Sequence, residues 1–272
     1  MLTIIRGAGD IASGIALRLH RAGFAVVMTE IPRPTTIRRT VAFSDAVVHG
    51  EQTVEDVTAR LSRTWEEARS LLSRGYIPVF VDPECACRSR LKPDSLVDAI
   101  LAKRNLGTKI TDAPVVVGVG PGFTAGADCH AVVETMRGHT LGRAYYKGSA
   151  LPNTSIPGLI GGFAGERVLR APADGVFEGV HRIGDLVKAG DIVGYAAGQP
   201  MKATISGVLR GLLADGVPVR QGMKAGDVDP RGRAEYCDLV SDKAFSVAGG
   251  VLEAILHCRS EGDKVRCIEE HQ

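Results

Sequence analysis

Apolar residues recur along the first half of the chain with two alternating periods. Leu2-Thr3-Ile4-Ile5 is a short apolar run, and Ile15, Ala16, Leu19 and Ala22 follow it at helical spacing until Gly23. A buried strand feeding an amphipathic helix has this pattern. Residues 25–29, 77–81, 96–101, 115–119 and 131–135 read as further strands, and 46–48 as a shorter one. Thr53-x-x-Asp56 has the form of a helix cap. Val54, Val57, Leu61, Trp65, Ala68, Leu71 and Leu72 extend it as an apolar stripe, which predicts one helix with Trp65 in the core. Strands alternating with helices predict right-handed crossovers and a mainly parallel, Rossmann-like α/β sheet. Ligands of such sheets bind at the carboxyl ends of strands, where Glu30 and Asp82 fall.

The second half follows a different rule. Ala171, Gly175, Val176, Gly179, Gly184, Val187 and Gly190 recur as Ala203, Gly207, Val208, Gly211, Gly216, Val219 and Gly222, an offset of 32. One offset joining small and β-branched residues predicts two copies of a strand–turn–strand unit in a compact β-sandwich. Ala171-Pro172-Ala173-Asp174-Gly175-Val176 resembles the opening of biotinyl and lipoyl carrier domains, which have a barrel-sandwich hybrid fold. Those carriers present a modified lysine on a hairpin tip between the repeats. Lys202 lies beside Ala203, where the second copy begins, so an unmodified domain is expected. A last helix follows, with Asp242 as its expected cap and Ala244, Val247, Ala248, Val251, Leu252, Ile255 and Leu256 as its apolar stripe. Gly249-Gly250 in its middle points to close backbone packing, and the tail after Cys258 is expected to fray. These patterns divide the chain into an α/β ligand-binding domain at 1–166, a β domain at 167–232 and a helix with its tail at 233–272.

Composition narrows the function classes. A 272-residue chain holds two cores, and a net charge of +2 with 24% charged residues points to neither nucleic acid nor another strong polyanion. No apolar run approaches the roughly 20 residues of a membrane span, and no signal-peptide pattern opens the chain, so a cytoplasmic protein is expected. The six cysteines do not look like a disulfide framework. Cys85-Ala86-Cys87 has neither zinc-type spacing nor a Cys-x-x-Cys redox motif, and no metal site is predicted.

Candidate chemistry gathers at strand ends. Gly7-x-Gly9-x-x-Ala12 fits the relaxed dinucleotide fingerprint, with Glu30 at about the distance of a ribose-binding acid. The same glycines also suit plain helix–strand packing. Asp10, in the first helical turn, would compete with a pyrophosphate for the helix dipole, and Arg6 would offset that charge or bind the ligand itself. Lys103, Arg104 and Asn105 leave another strand and suit a phosphate or a polar heterocycle. Gly120 and Gly122 permit close backbone approach, and Thr124 and Asp128 supply acceptors. Arg38-Arg39 suits a phosphate or a plain exposed loop. His130 and His139 suit acid–base work or a structural role, so no catalytic residue is assigned. Residues 153–165 read as a polar linker or a lid.

Six segments together resemble the YqeB family of the selenium-dependent molybdenum hydroxylase system. They are Arg6–Asp10, Asp98–Asn105, Gly118–Gly126, His130–Thr135, Gly226–Arg231 and Ser241–Ala244. The resemblance spans nearly the whole chain, and Cys85 and Cys87 lie outside its motifs. It implies an accessory role in maturing a molybdenum hydroxylase, through binding of a molybdopterin-type cofactor or its cytosine dinucleotide. Arg6, Lys103 and Arg104 would then neutralise phosphate, and Asn105, Thr124 and Asp128 would address the heterocycle. Two other readings compete. One is an NAD(P)-dependent oxidoreductase resting on Gly7, Gly9, Ala12 and Glu30. The other is a non-catalytic module whose repeat domain docks a hydroxylase subunit.

Overall fold

The computed structural model describes residues 1–154 and 157–269, with side chains as far as Glu261. Ser155 and Ile156 of the expected linker, the side chain of Cys267 and the last three residues of the tail lie outside the described residues.

The first half is α/β. Its strands are β1 (Leu2–Arg6), β2 (Ala25–Glu30), β3 (Glu51–Val54), β4 (Val57–Leu61), β5 (Ile77–Val81), β6 (Ser95–Asp98), β7 (Val115–Val119), β8 (Ala131–Val133) and β9 (Ala144–Tyr145). They form one sheet in the order β3-β4-β5-β2-β1-β6-β7-β8-β9. The seven strands from β4 to β8 pair in parallel, and the two edge strands β3 and β9 run antiparallel. The order reverses between β1 and β6, and such a switch point opens a crevice at the strands' carboxyl ends.

Alternation along these strands sends side chains to two cores. Ile5, Met28, Val97 and Val117 face helix α1 (Asp10–Arg21) and helix α5 (Asp242–Glu269). Ile4, Val27, Leu96 and Val116 face the other way, under Phe123, Cys129 and Ala150. The last helix therefore belongs to the first core, although the β unit separates the two in sequence. Its backbone is helical to Glu269, so the fraying expected after Cys258 does not begin there. No described helix is long and apolar enough to cross a membrane.

Two sequence expectations fail here. The helix predicted from Thr53 is a hairpin, β3 turning into β4 at Glu55 (φ +54), followed by α3 (Trp65–Ser73). Apolar spacing at 54, 57 and 61 fits either form, and the β-branched Thr53, Val54, Val57 and Thr58 favour the extended one. The true cap lies eleven residues on. Thr64 Oγ1 accepts the Glu67 N–H (3.2 Å), and Glu67 Oε2 accepts the Arg63 N–H (2.8 Å). Trp65 is half-buried at the helix start and is not a core residue. The strand expected at 46–48 is a single helical turn, α2 (Ala46–His49), closed by Gly50 at φ +85. A similar turn, α4 (Arg88–Leu91), follows β5.

Residues 168–229 form an all-β unit. Strands β10 (Val168–Arg170), β11 (Gly175–Gly179), β12 (Leu186–Val187), β13 (Ile192–Ala196), β14 (Gln199–Lys202), β15 (Gly207–Leu212), β16 (Pro218–Val219) and β17 (Lys224–Asp229) make two four-stranded sheets. Their orders are β10-β17-β15-β12 and β14-β13-β11-β16. Shifting residue numbers by 32 in the direction of the repeat maps one sheet onto the other. The copies interlock, since β11 pairs with β16 and β12 with β15. The Gly184 N–H donates to Leu209 O (2.9 Å), and its counterpart, the Gly216 N–H, donates to Phe177 O (2.9 Å). An approximate two-fold thus relates the copies, around a core that includes Phe177, Leu169 and Leu209.

The glycine pair in α5 splits in role. A Cβ at Gly250 would lie 1.9 Å from Gly142 O, whereas one at Gly249 would meet nothing within 4 Å. Gly249→Ala is therefore expected to stabilise the chain by about 1 kcal/mol through helix propensity. Gly250→Ala is expected to destabilise it by about 1–3 kcal/mol through overpacking against backbone. Urea unfolding of the two variants should shift in opposite directions.

Candidate functional site

A cleft of about 1200 Å³ opens at the carboxyl ends of β1, β2 and β6 and runs between the first sheet and the β unit. Arg6, Arg38, Lys103, Arg137, Arg167, Arg170, Arg210, Lys224 and Lys243 line it, against the carboxylates of Asp10, Glu30, Glu84, Glu134 and Asp227. Nine cationic side chains thus stand beside five carboxylates along its lining.

The glycine turn forms one wall, but its two glycines do different work. Gly7 has φ +100, and a Cβ there would lie 3.1 Å from Ala99 O, so it serves the close approach of the β1 and β6 ends. Gly9 caps α1 without a side-chain hydrogen bond, and a Cβ there would meet only Thr36 Oγ1 at 3.5 Å. Glu30 does not reach out to a ribose. Its Oε2 accepts the Ala8 N–H (2.9 Å) and its Oε1 the Ile31 N–H (2.7 Å). Burial pushes its carboxyl above the ordinary value, and those two hydrogen bonds only partly oppose the rise. Asp10 Oδ1 likewise accepts the Ile11 N–H (2.9 Å). Two N–H groups of the turn that a dinucleotide's pyrophosphate would use thus already bind the chain's own carboxylates.

Arg6 is also committed. Its Nη1 donates to Leu106 O (3.0 Å), Thr108 Oγ1 (3.1 Å) and Asp98 Oδ2 (3.4 Å), and its Nη2 to Pro83 O (3.1 Å). The guanidinium ties strand ends together at the cleft floor and is no free phosphate ligand. Asn105 lines the cleft in the same structural capacity. Its Oδ1 accepts the N–H groups of Gly107 (2.9 Å) and Thr108 (2.8 Å), and its Nδ2 donates to Thr108 O (2.8 Å). Lys103 stands exposed on the rim.

Arg104, Gly120, Gly122, Thr124 and Asp128 do not line the cleft. A Cβ at Gly122 would lie 2.6 Å from the Arg104 backbone, so this glycine lets two loops cross. Asp128 Oδ2 accepts the Thr124 N–H (2.8 Å), and the loop carries Phe123 into the second core instead of facing the crevice. His130 and His139 also lie outside the lining. His130 Nδ1 accepts the Val116 N–H (2.9 Å), and burial holds the ring below the ordinary imidazole value, so it is a neutral structural group. Cys85 is buried and Cys87 half-buried beside it, both as free thiols, and no metal-type cluster of His, Cys, Asp and Glu occurs among the described residues.

Arg38 and Arg39 join the two halves. Arg38 Nη2 donates to Tyr236 O and Leu239 O (both 3.1 Å), and Arg39 Nε donates to Leu212 O (2.9 Å). Across the cleft, Asp227 and Asp229 of β17 hold Arg167, Arg210 and Arg231. Arg210 Nη2 lies 2.6 Å and Arg231 Nη2 2.6 Å from their respective Oδ2 atoms, and Arg167 Nη1 pairs with Asp227.

Sequence reasoning missed Lys224, Lys243, Arg137 and Arg170 as lining residues. One signal was present. Lys243 is the second residue of α5, where a cation opposes the helix dipole and needs a separate reason. The cap there is Ser241, whose Oγ accepts the Ala244 N–H (3.2 Å), and not Asp242. Asp242 instead takes both Arg137 Nη groups (2.8 and 2.9 Å), which fastens the turn after β8 to α5. The Arg137 hydrogen bonds hold the Asp242 carboxyl down to about 2, below its ordinary 3.8. This exposed pair is worth about 0.5 kcal/mol. Its contribution is present above pH 3.8 and is lost as the pH falls toward about 2. An NMR carboxyl titration should place Asp242 at that lower midpoint, and Arg137→Met should return it to the ordinary range.

No protein-family model matches the chain. Among solved structures, an aspartoacylase family protein from Mesorhizobium loti aligns at 13% identity over 85% of this chain and 86% of that one, with a TM-score of 0.27. The product-bound ectoine utilization protein EutE (DoeB) from Ruegeria pomeroyi aligns at 12% identity over 84% of each chain, with a TM-score of 0.25. At such TM-scores neither likeness supports an argument. In sequence, the uncharacterized protein YqeB of Escherichia coli (strain K12) is 54% identical over 263 residues. The match takes in 97% of this chain and 49% of YqeB, so the chain spans about half the length of that relative. Identity at this level along nearly the whole chain makes it a homologue of that half of YqeB and supports its membership of the YqeB family.

Proposed function

We propose that the chain is an accessory factor in the maturation of a selenium-dependent molybdenum hydroxylase and holds a molybdopterin-type cofactor, or its cytosine dinucleotide, in the inter-sheet cleft. The observation that carries this reading is the cationic excess of a cleft set at the sheet's switch point. Its volume exceeds the range of most drug-sized pockets, which leaves room for a dinucleotide. The Rossmann-like half supplies the floor, and the β unit, read as an unmodified barrel-sandwich hybrid, supplies the opposite wall. The NAD(P) reading, which rests on the glycine turn and Glu30, fits less well, because Glu30 and Asp10 themselves hold two of that turn's N–H groups. Titration calorimetry with molybdopterin cytosine dinucleotide, set against mass spectrometry of small molecules co-purifying with the chain, tests the proposal. Micromolar or tighter binding is expected, and absence of binding would overturn it.

The docking reading has its own support. In the second repeat copy, Val208 and Leu212 are fully covered, and the Leu212 N–H donates to Ile37 O (2.8 Å) of the first half. The equivalent Val176 and Val180 are 49% and 56% exposed. The two-fold mate of an internal interface thus stands open, and a hydroxylase subunit that presents an extended apolar segment, as Ile37 does, would fit it. Val176→Glu should abolish capture of the subunit while leaving ligand affinity intact.

A further inference from the structure

Resting on the reading of the cleft as an anion site, we propose that Lys224 and Lys243, beside the start of α1, form the subsite that grips the ligand's phosphoryl group. That group is either the monoester of a pterin or the diphosphate of its dinucleotide.

Three distant segments meet there. Lys224 opens β17, Lys243 stands in the first turn of α5, and both line the cleft with Asp10 and Arg38. The crossing of α1 and α5 sets their position. A Cβ on Gly14 would lie 2.8 Å from Ala244 Cβ, so the helices touch at Gly14 and Ala244. Asp10 is one turn before the first of these, and Lys243 is adjacent to the second. Gly9, at the same helix start, offers no capping side chain and leaves space beside it.

The charges around this point do not balance. Neither lysine ammonium has a hydrogen bond or an ion pair among the described residues. Asp10 is the nearby carboxylate common to both, and Arg38 Nη1 already lies 3.9 Å from it. Asp227 faces Lys224 and Glu134 faces Lys243 too, but Asp227 is held between Arg167 and Arg210, and Glu134 accepts the N–H groups of Thr135, Met136 and Leu151. Lys224 is exposed in the cleft and Lys243 half-buried, so the desolvation that pushes both ammonium groups below the ordinary lysine value is partial. Two cleft cations without a hydrogen bond or an ion pair leave their donors open to an arriving anion. A phosphoryl group carries the charge and the acceptor oxygens to satisfy both.

Calorimetry on the full chain with inorganic phosphate and with inorganic pyrophosphate tests this directly. Lys224→Met and Lys243→Met should each weaken the preferred anion at least tenfold, and the double variant should abolish its binding. Lys188→Met, at an exposed lysine outside the cleft lining, should change it less than threefold. Lys224→Gln and Lys243→Gln repeat the test with polar replacements, and a thermal melt checks that each variant folds. Tighter binding of phosphate would identify a monoester subsite, and tighter binding of pyrophosphate a diphosphate subsite. Failure of the wild type to bind either anion, or equal binding by the double variant, would overturn the subsite. If the cytosine dinucleotide binds the double variant with undiminished affinity, the subsite fails and the cleft reading stands. If pyrophosphate binds through the lysines and the dinucleotide does not bind, the subsite stands and the reading of the ligand fails.

Discussion

Asp227→Ala is expected to destabilise the protein by about 3–5 kcal/mol, the cost of removing one partner from a buried ionic network. Asp227 is 1% exposed and lies between Arg167 and Arg210, which are 7% and 9% exposed. Its Oδ2 takes two Arg210 donors at 2.6 and 3.1 Å, while Oδ1 takes Arg167. With the carboxylate gone, Arg210 keeps Asp229 Oδ2 at 3.1 Å, and Arg167 keeps long contacts to Gly158 O of 3.3 and 3.4 Å. Urea denaturation should show the loss as a shifted midpoint. Arg167→Met combined with Asp227→Leu should recover part of it, because the uncompensated charge disappears. The neighbouring Asp229 adds a pH signature. Burial raises its carboxyl, but Arg231 and Arg210 outweigh burial and hold it below the ordinary 3.8. Its share of stability is therefore present above pH 3.8 and is lost as the solution is acidified below that point. A loss smaller than 1 kcal/mol for Asp227→Ala would mean that the network carries no net stability.

The contrast between Asp227 and Glu30 shows what the chain discloses by itself. Apolar runs located β1, β2, β5, β6, β7 and β8, because a strand buried on both faces needs a continuous apolar segment. The offset of 32 disclosed the β unit, because interlocked copies must keep the same glycines at the same turns, as Gly184 and Gly216 do. The hairpin β3–β4 was hidden because residues 54, 57 and 61 satisfy helical spacing as well. The site was only half legible. Gly7, Gly9, Asp10, Lys103, Arg6, Glu30 and Asn105 line one cleft, whereas Arg104, Gly120, Gly122, Thr124 and Asp128 do not. A local motif, however, gives residue types and not their partners. Arg6, Glu30 and Asn105 have polar atoms that local pattern would offer to a ligand and that the fold takes for itself. Lys224 and Lys243 reach the cleft through the β unit and the returning helix, a long-range placement with no local signature.

Asp98→Ala should cost about as much as Asp227→Ala, roughly 3–5 kcal/mol, for a reason that joins stability to the site. Asp98 ends β6 and Arg6 ends β1, the two strands flanking the switch point, and they are 2% and 5% exposed. Asp98 Oδ2 accepts from Thr108 Oγ1 (2.6 Å) and Arg6 Nη1 (3.4 Å), and Oδ1 accepts the Ile100 N–H (3.3 Å). One carboxylate therefore fixes the Arg6 guanidinium, the turn after β6 and the loop at Thr108. Without it, the nearest remaining anion for Arg6 is Glu84, 3.8 Å away and 85% exposed, which water screens. Asp98→Asn retains an acceptor for Thr108 and should cost less than the alanine variant. The double variant Arg6→Met/Asp98→Leu should regain stability relative to Asp98→Ala while still failing to shape the cleft floor. Ligand affinity and unfolding free energy would then move apart in that variant. If they instead recover together, Arg6 and Asp98 serve the fold alone, and the cleft floor does not depend on their pairing.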